Sequence, residues 1–300
     1  IPNNGGCVYE LCEPTVGAFR AAIGRLLADR ERYQALRAGA RREVTQRYSW
    51  ENISRELGYR LNQAYRREVL GEKPFFSVVI PTYERHGLLT RLLDQLKGQT
   101  ETDFEVVIVD QSEADYADLG RYADMDILYY KTDIRGAAKA RNAGIRLCRG
   151  EVVAFIDDDC VPERDWLQNA RALFRRPDVV GVEGKIYADK YDTARYRVVS
   201  NQNFEGIGFM TANLFVLRDV LEEIGGFDEA FDNPHFREDT DLGWRARKYG
   251  KFHYAADVRV LHPSHRRDDK RESAGERNKF YVHDPLMLKK HGREFVSLMV

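Results

Sequence analysis

From Pro74 onward, short apolar runs alternate with stretches whose leucines and alanines recur at helical spacing. FSVVI (76–80), FEVVIVD (104–110), DILYY (126–130) and EVVAFID (151–157) are dense in β-branched and aromatic residues and predict strands. GLLTRLLDQLKG (87–98) sets Leu89, Leu92, Leu93 and Leu96 on one helical face, with Gly98 as a stop. GAAKARNAGIRLC (136–148) and WLQNARALF (166–174) predict further helices, and VVGVEG (179–184) another strand. FMTANLFVL (209–217) reads as a buried strand, RDVLEEIGG (218–226) and DTDLGWRARKYG (239–250) as helices, and KFHYAADVRVLH (251–262) as a strand ending in His262. Strands alternating with helices of this length predict an open, mostly parallel α/β sheet of Rossmann-like type. Ligands bind such sheets beyond the carboxyl ends of the strands, where Pro81-Thr82-Tyr83, Asp110 and Asp157-Asp158-Asp159 all fall.

Residues 14–68 carry a different pattern. Phe19, Ile23, Leu26 and Leu27, then Tyr33, Leu36, Ala40 and Val44, then Ile53, Leu57, Leu61 and Tyr65 form helical stripes. VLGEKP (69–74) supplies Gly71 and Pro74 as a linker. Three segments result: a helical one over 1–72, an α/β domain over 73–265, and a basic loop with a C-terminal helical tail over 266–300.

Bulk properties narrow the class. The chain has 300 residues, 43% hydrophobic and 32% charged, and a net charge of −1, which asks for no nucleic-acid partner. Its four cysteines, Cys7, Cys12, Cys148 and Cys160, have no paired metal spacing and read as reduced thiols in a cytoplasmic setting. No apolar run is long enough to span a bilayer, and the tail around Leu286 to Arg293 fits a packed terminal helix or a peripheral membrane contact. A start at Ile1 rather than Met reads as a fragment.

Three consecutive acids after a buried-looking strand need compensation. Two carboxylates about 4 Å apart repel by roughly 4 kcal/mol at an effective dielectric near 20. In an extended segment Asp157 and Asp159 share a face and make a hard oxygen site suited to Mg²⁺ or Mn²⁺. Arg135, Lys139 and Arg141 lie at or near a glycine-started helix N-terminus, where an anionic phosphate would be favoured. His262 could supply an imidazole to the metal, and Arg266, Arg267, Lys270 and Arg271 in the following loop could fold over a leaving diphosphate. Glu238 and Asp239 stand at a helix start, either as a cap or as a general base.

FSVVIPTYER, VVIVDQS, RGAAKARNAGI, VAFIDDD, GGFDEAF, REDTDLGWR and VLH together resemble an inverting family 2 glycosyltransferase of the GT-A fold, over residues 76 to about 265. The resemblance implies that Pro81, Thr82, Tyr83 and Glu84 line the nucleotide-base pocket, that Asp110 hydrogen-bonds the base, and that Arg141 supports the donor. It implies Asp157 and Asp159 as the Asp-x-Asp metal motif with Asp158 near the ribose, His262 as a further metal ligand, and Asp239 of the Glu238-Asp239 pair as catalytic base. Thr211, Asn213 and Trp244 would meet the donor sugar or the acceptor. The implied activity is hexosyl transfer from a nucleotide-sugar, a UDP-sugar being favoured, to a glycan or lipid-linked glycan, as in bacterial surface polysaccharide synthesis. Gln111 and Glu84 depart from the family's usual acid and asparagine. Residues 1–70, through LLAD, AR and YSW, resemble the C-terminal tail of a family 4 glycosyltransferase of the GT-B fold, implying a fragment of a two-enzyme polypeptide. Two rival readings are a catalytically inactive scaffold of this type and a sugar-nucleotide pyrophosphorylase. The latter normally needs a glycine-rich loop that PTYERHG does not supply.

Overall fold

The computed structural model describes residues 73–233, 235–266 and 279–299, with isolated positions between 24 and 34. The helices expected over 14–68, the family 4 tail reading and the basic residues Arg267, Lys270 and Arg271 lie outside the described residues. The chain divides at Glu72/Lys73 into two compact units, and every element below belongs to the second.

Four parallel strands, β1 (Phe76–Thr82), β2 (Phe104–Asp110), β3 (Ile127–Lys131) and β4 (Val152–Phe155), lie in the order β3-β2-β1-β4. The central residues of β1, β2 and β4 are buried on both faces, which is why these strands read as continuous apolar runs rather than alternating ones. The sheet continues beyond β4 through three longer-range strands and a short edge. These are β8 (Leu214–Leu217), antiparallel to β4, then β6 (Val179–Tyr187), β9 (Lys251–Leu261), and β5 (Val161–Pro162) at the edge. The result is an eight-stranded mixed α/β sheet flanked by helices. Helix α1 (His86–Lys97) buries Leu89, Leu92, Leu93 and Leu96, the stripe expected of it. Helix α2 (Ala137–Leu147) buries Ala138, Ala140 and Ile145, and also the polar Arg141 and Asn142. Helices α3 (Trp166–Leu173), α4 (Arg218–Glu223) and α5 (Glu238–Ala246) complete the cover. Two C-terminal helices follow, α6 (Asp284–His291) and α7 (Arg293–Met299).

Two sequence expectations change. The strand read over 209–217 begins only at Leu214, after a 3₁₀ turn at Thr211–Asn213. Asn213 is buried there: its Oδ1 accepts from Trp166 Nε1 at 2.8 Å, and its Nδ2 donates to Val258 O at 2.9 Å. A side chain tied to two neighbouring elements holds the backbone out of the ladder. The strand read through Asp157 ends at Phe155, and Cys160 N closes a turn onto Asp157 O at 3.1 Å. The three aspartates are therefore on a turn, and the period-two argument does not apply to them. A two-stranded sheet went unforeseen: β10 (His265–Arg266) pairs with β7 (Tyr196–Arg197) and fixes the chain just beyond His262.

Candidate active site

Parallel register puts Thr82 beside Asp110 and Phe155 beside Val79, so the carboxyl ends of β1, β2 and β4 lie side by side along one edge of the sheet. Each aspartate of the turn takes a different partner. Asp157 Oδ1 accepts from Arg141 Nη2 at 2.8 Å. Asp158, buried, accepts from Thr82 Oγ1 at 2.7 Å and pairs with Arg85 Nη2 at 2.9 Å. Burial pushes its carboxyl up to about 6, against the pull of Thr82 and Arg85. Asp159 pairs with Arg85 Nη1 at 3.1 Å and faces His262 Nε2 at 3.5 Å and His265 Nε2 at 3.7 Å.

Asp159, His262 and His265 each bring one ligand atom to within 4.8 Å of the others. Asp159 Oδ1 is buried and has no hydrogen-bond partner. A carboxylate with an uncommitted oxygen and two imidazoles suits a borderline divalent cation such as Mn²⁺, so this donor set fits the metal that the resemblance implies. The structure does not bring Asp157 into the cluster, because Arg141 holds it. His265 went unnoticed in the sequence; the only signal was its position three residues after His262 in HPSH.

Arg141 is the hub. It is buried, with Asp157 on one side and Glu238 Oε1 3.5 Å from Nη1 on the other, so it joins the aspartate turn to the Glu238-Asp239 pair. Burial opposes its charge, but Asp157, Glu238 and Asp239 outweigh that and hold its pKa above the ordinary guanidinium value. Glu238 is buried, and its Oε1 also meets His235 Nδ1 at 2.8 Å. Asp239 is partly exposed and receives the Thr240 amide at 2.7 Å. Burial, and then the neighbouring Glu238 charge, push its carboxyl up to about 7. The helix carrying both acids is preceded by Arg237, whose φ of 79° is left-handed for a residue with a side chain. An ion pair from Arg237 Nε to Asp284 at 3.0 Å helps to hold that conformation.

At the end of β2, Asp110 is buried and both of its oxygens have partners. It accepts from Tyr129 Oη at 2.6 Å and from the Ser112 amide at 2.8 Å, and it meets His86 Nε2 at 2.8 Å. Burial works against its charge, but Ser112, Tyr129 and His86 together hold its pKa below the usual carboxylate value. The carboxylate expected to hydrogen-bond a base is thus already bonded within the protein, and partly exposed His86, which sequence reading missed, stands beside it. Tyr83 is half exposed, with the Arg135 guanidinium 4.2 Å from its ring centre. Glu84, at φ 54°, donates its amide to Ser112 Oγ at 2.7 Å. Pro81 is partly buried between them.

The α2 N-terminus is not open for phosphate. Its amides at Ala138 and Lys139 donate to Asp232 Oδ1 and Oδ2 at 2.7 and 3.2 Å. Gly136 makes this possible, with φ 132° and room so tight that a Cβ would stand 2.3 Å from Asp232 Oδ2. Gly136→Ala should lower unfolding stability by about 1–3 kcal/mol or more, through backbone strain and loss of this cap. A denaturant melt checks it, and an unchanged midpoint would refute the close packing. The residues expected at the sugar are also corrected in part. Trp244 is fully buried against His291 and Phe295, and Asn213 and Thr211 are buried at the 3₁₀ turn, so none offers a free face to a sugar.

Similarity to known proteins agrees with this architecture. The profile for Glycosyl transferase family 2 matches residues 77–237, more than half of the chain. Glycosyltransferase AglE of Haloferax volcanii is 29% identical over 211 residues, covering 64% of this chain and 67% of AglE. Staphylococcus aureus TarS 1-349 in complex with UDP superposes with a TM-score of 0.53 at 21% identity, over 63% of this chain and 60% of that one. Mannosyltransferase PcManGT of Pyrobaculum calidifontis, in complex with GDP-Man and Mn²⁺, superposes with a TM-score of 0.51 at 25% identity, over 70% of this chain and 66% of that one. The chain thus spans about two thirds or less of these relatives' own length. With a mixed GT-A-type sheet, acids gathered at its carboxyl ends and a profile match across both, the chain belongs to glycosyltransferase family 2.

Proposed function

We propose that this chain transfers a hexosyl group from a nucleotide-diphosphate sugar, with a UDP-sugar favoured, to a hydroxyl of a glycan or lipid-linked glycan, by metal-dependent single displacement with inversion. The observation that carries this reading is the pairing, through buried Arg141, of the Asp157–Asp159 turn and its neighbouring histidines with a partly exposed Asp239 whose pKa sits near neutrality. Asp159, His262 and His265 would hold Mn²⁺ or Mg²⁺. Once bound, the ion supplies positive charge to the departing diphosphate.

The chain's own groups do the rest. Arg85, half exposed and resting on Asp158 and Asp159, is within reach of a diphosphate placed at that turn. Tyr83, Arg135 and His86 would receive the nucleoside. Asp239 takes the proton of the acceptor hydroxyl as that oxygen attacks the anomeric carbon. The bond from that carbon to the diphosphate oxygen breaks on the opposite face, and the electron pair leaves with the nucleotide diphosphate. Burial opposes the charge of Asp157, but Arg141 outweighs it and holds that carboxyl below its usual value, so the turn stays anionic beside the base. Free, buried Cys148 and Cys160 suit the reducing cytoplasmic setting.

A panel of UDP-, GDP- and dTDP-sugars incubated with Mn²⁺ tests the reading. We expect metal-dependent release of nucleotide diphosphate from one class, abolished by a chelator and restored by added Mn²⁺. Release that ignores the chelator would overturn it.

A further inference from the structure

The C-terminal helices show two contrasting faces. Met287, His291 and Phe295 pack inward, with His291 and Phe295 meeting Trp244 of α5 at ring-centre distances of 5.1 and 6.2 Å. Lys290 is also turned inward, 2.7 Å from the buried Asp241 and 2.8 Å from Asp228. The outer positions are apolar and open: Tyr281 is 50% exposed, Val282 56%, Leu288 47% and Val296 45%. Four of the ten large apolar residues exposed among those described therefore fall within 281–296. Exposed apolar positions gathered in so short a segment mark a candidate interaction surface.

Charge selects among partners. Both acids of this segment are drawn onto cations of the body, Asp284 onto Arg237 and Glu294 onto Arg247. Exposed Lys289 and Arg293, set among the apolar positions, have no ion-pair partner among the described residues. Apart from Glu294, which is paired with Arg247, the exposed charges of this segment are thus cationic and set among apolar positions, the combination that settles at an anionic lipid headgroup boundary. No helix among the described residues is long and apolar enough to cross a membrane, so the contact would be peripheral.

We infer that Tyr281, Val282, Leu288 and Val296, with Lys289 and Arg293, form a docking face for an anionic membrane surface. Its place gives it a purpose. Tyr281 meets Phe236 edge-to-face with ring centres 6.0 Å apart, and Asp284 holds Arg237; Phe236 and Arg237 are the two residues directly before Glu238-Asp239. A membrane bound here lies beside the turn that carries the base, as delivery of a lipid-linked acceptor requires. That last step rests on the proposed transfer reaction; the docking itself does not.

The test is co-sedimentation of the full chain with vesicles of pure phosphatidylcholine and of phosphatidylcholine with about 30% phosphatidylglycerol, an anionic content that gives the surface a negative potential. We expect binding to the anionic vesicles only, weakened by salt. Lys289→Glu with Arg293→Glu should weaken it at least about tenfold, since each cation near such a surface is worth roughly fivefold. Leu288→Gln with Val296→Gln should weaken it by about tenfold with an unchanged melting temperature. Equal binding to both vesicle types, no binding, or a stable dimer in solution that buries this face and excludes vesicles would each overturn the inference. Nucleotide-diphosphate release in the same samples reports on the transfer reaction separately, so failure of one is not mistaken for failure of the other.

Discussion

Asp239→Asn should reduce transfer by at least about 10²-fold, the low end of what a positioned base contributes, while Mn²⁺-dependent binding of a nucleotide diphosphate survives. The amide keeps the shape of the carboxylate but cannot take a proton. Two pH signatures accompany this loss. The parent's rate should rise through an acid limb near pH 7, belonging to the Glu238-Asp239 pair as a unit, because the base works only when ionised. The stability signature has the opposite sense. The folded state raises the Asp239 pKa, so the stability it contributes is full below about pH 4, where the unfolded carboxyl is still protonated, and is lost as pH rises toward 7. Asp239→Asn removes this contribution and should flatten the decline between those values. Near-normal turnover in the variant, or an acid limb that persists unchanged in its residual rate, would reject the assignment.

The second large effect concerns the metal. Asp159, His262 and His265 would form the donor set, whereas Asp157 is paired with Arg141. His265→Ala should weaken binding of Mn²⁺ alone by at least about tenfold, since even partners one shell further out are typically worth about 10–100-fold. Asp157→Asn should change that affinity little and instead loosen Arg141, with a loss of stability. Calorimetric titration of Mn²⁺ without nucleotide separates the two. Were Asp157→Asn to abolish binding while His265→Ala left it intact, Asp157 would pair with Asp159 on the ion as the motif implies, and His265 would not be a ligand.

Much of the frame was legible in the chain. Continuous apolar runs ending in Pro81, Asp110 and the aspartate triplet marked the strand ends, and those ends do lie side by side in the sheet. The succession of motifs was legible too, and the family 2 profile matches residues 77–237. What escaped notice depends on partners far apart in sequence. Asp232 closes the α2 N-terminus from 94 residues away, so no local pattern could show that the phosphate-like site was already filled. His265 is placed by a two-residue strand pairing that is too short to leave a periodicity. Asp110 looked available because its partners, His86 and Tyr129, lie on other elements. Trp244 and Asn213 were placed at the sugar by the resemblance alone, which says nothing of where their polar atoms go. Those atoms are in fact spent on Ile207 O and on Trp166, Lys185 and Val258.

Stereochemistry gives the most direct test of a metal-dependent displacement with Asp239 as base. In the absence of acceptor, water can take the acceptor's place, and proton NMR can follow the first-formed sugar before it mutarotates. With Mn²⁺ present, a sugar bound through its α anomer to the diphosphate should appear first as the β anomer, and Asp239→Asn should suppress its appearance. Release of the α anomer, or equal release without metal, would contradict the mechanism.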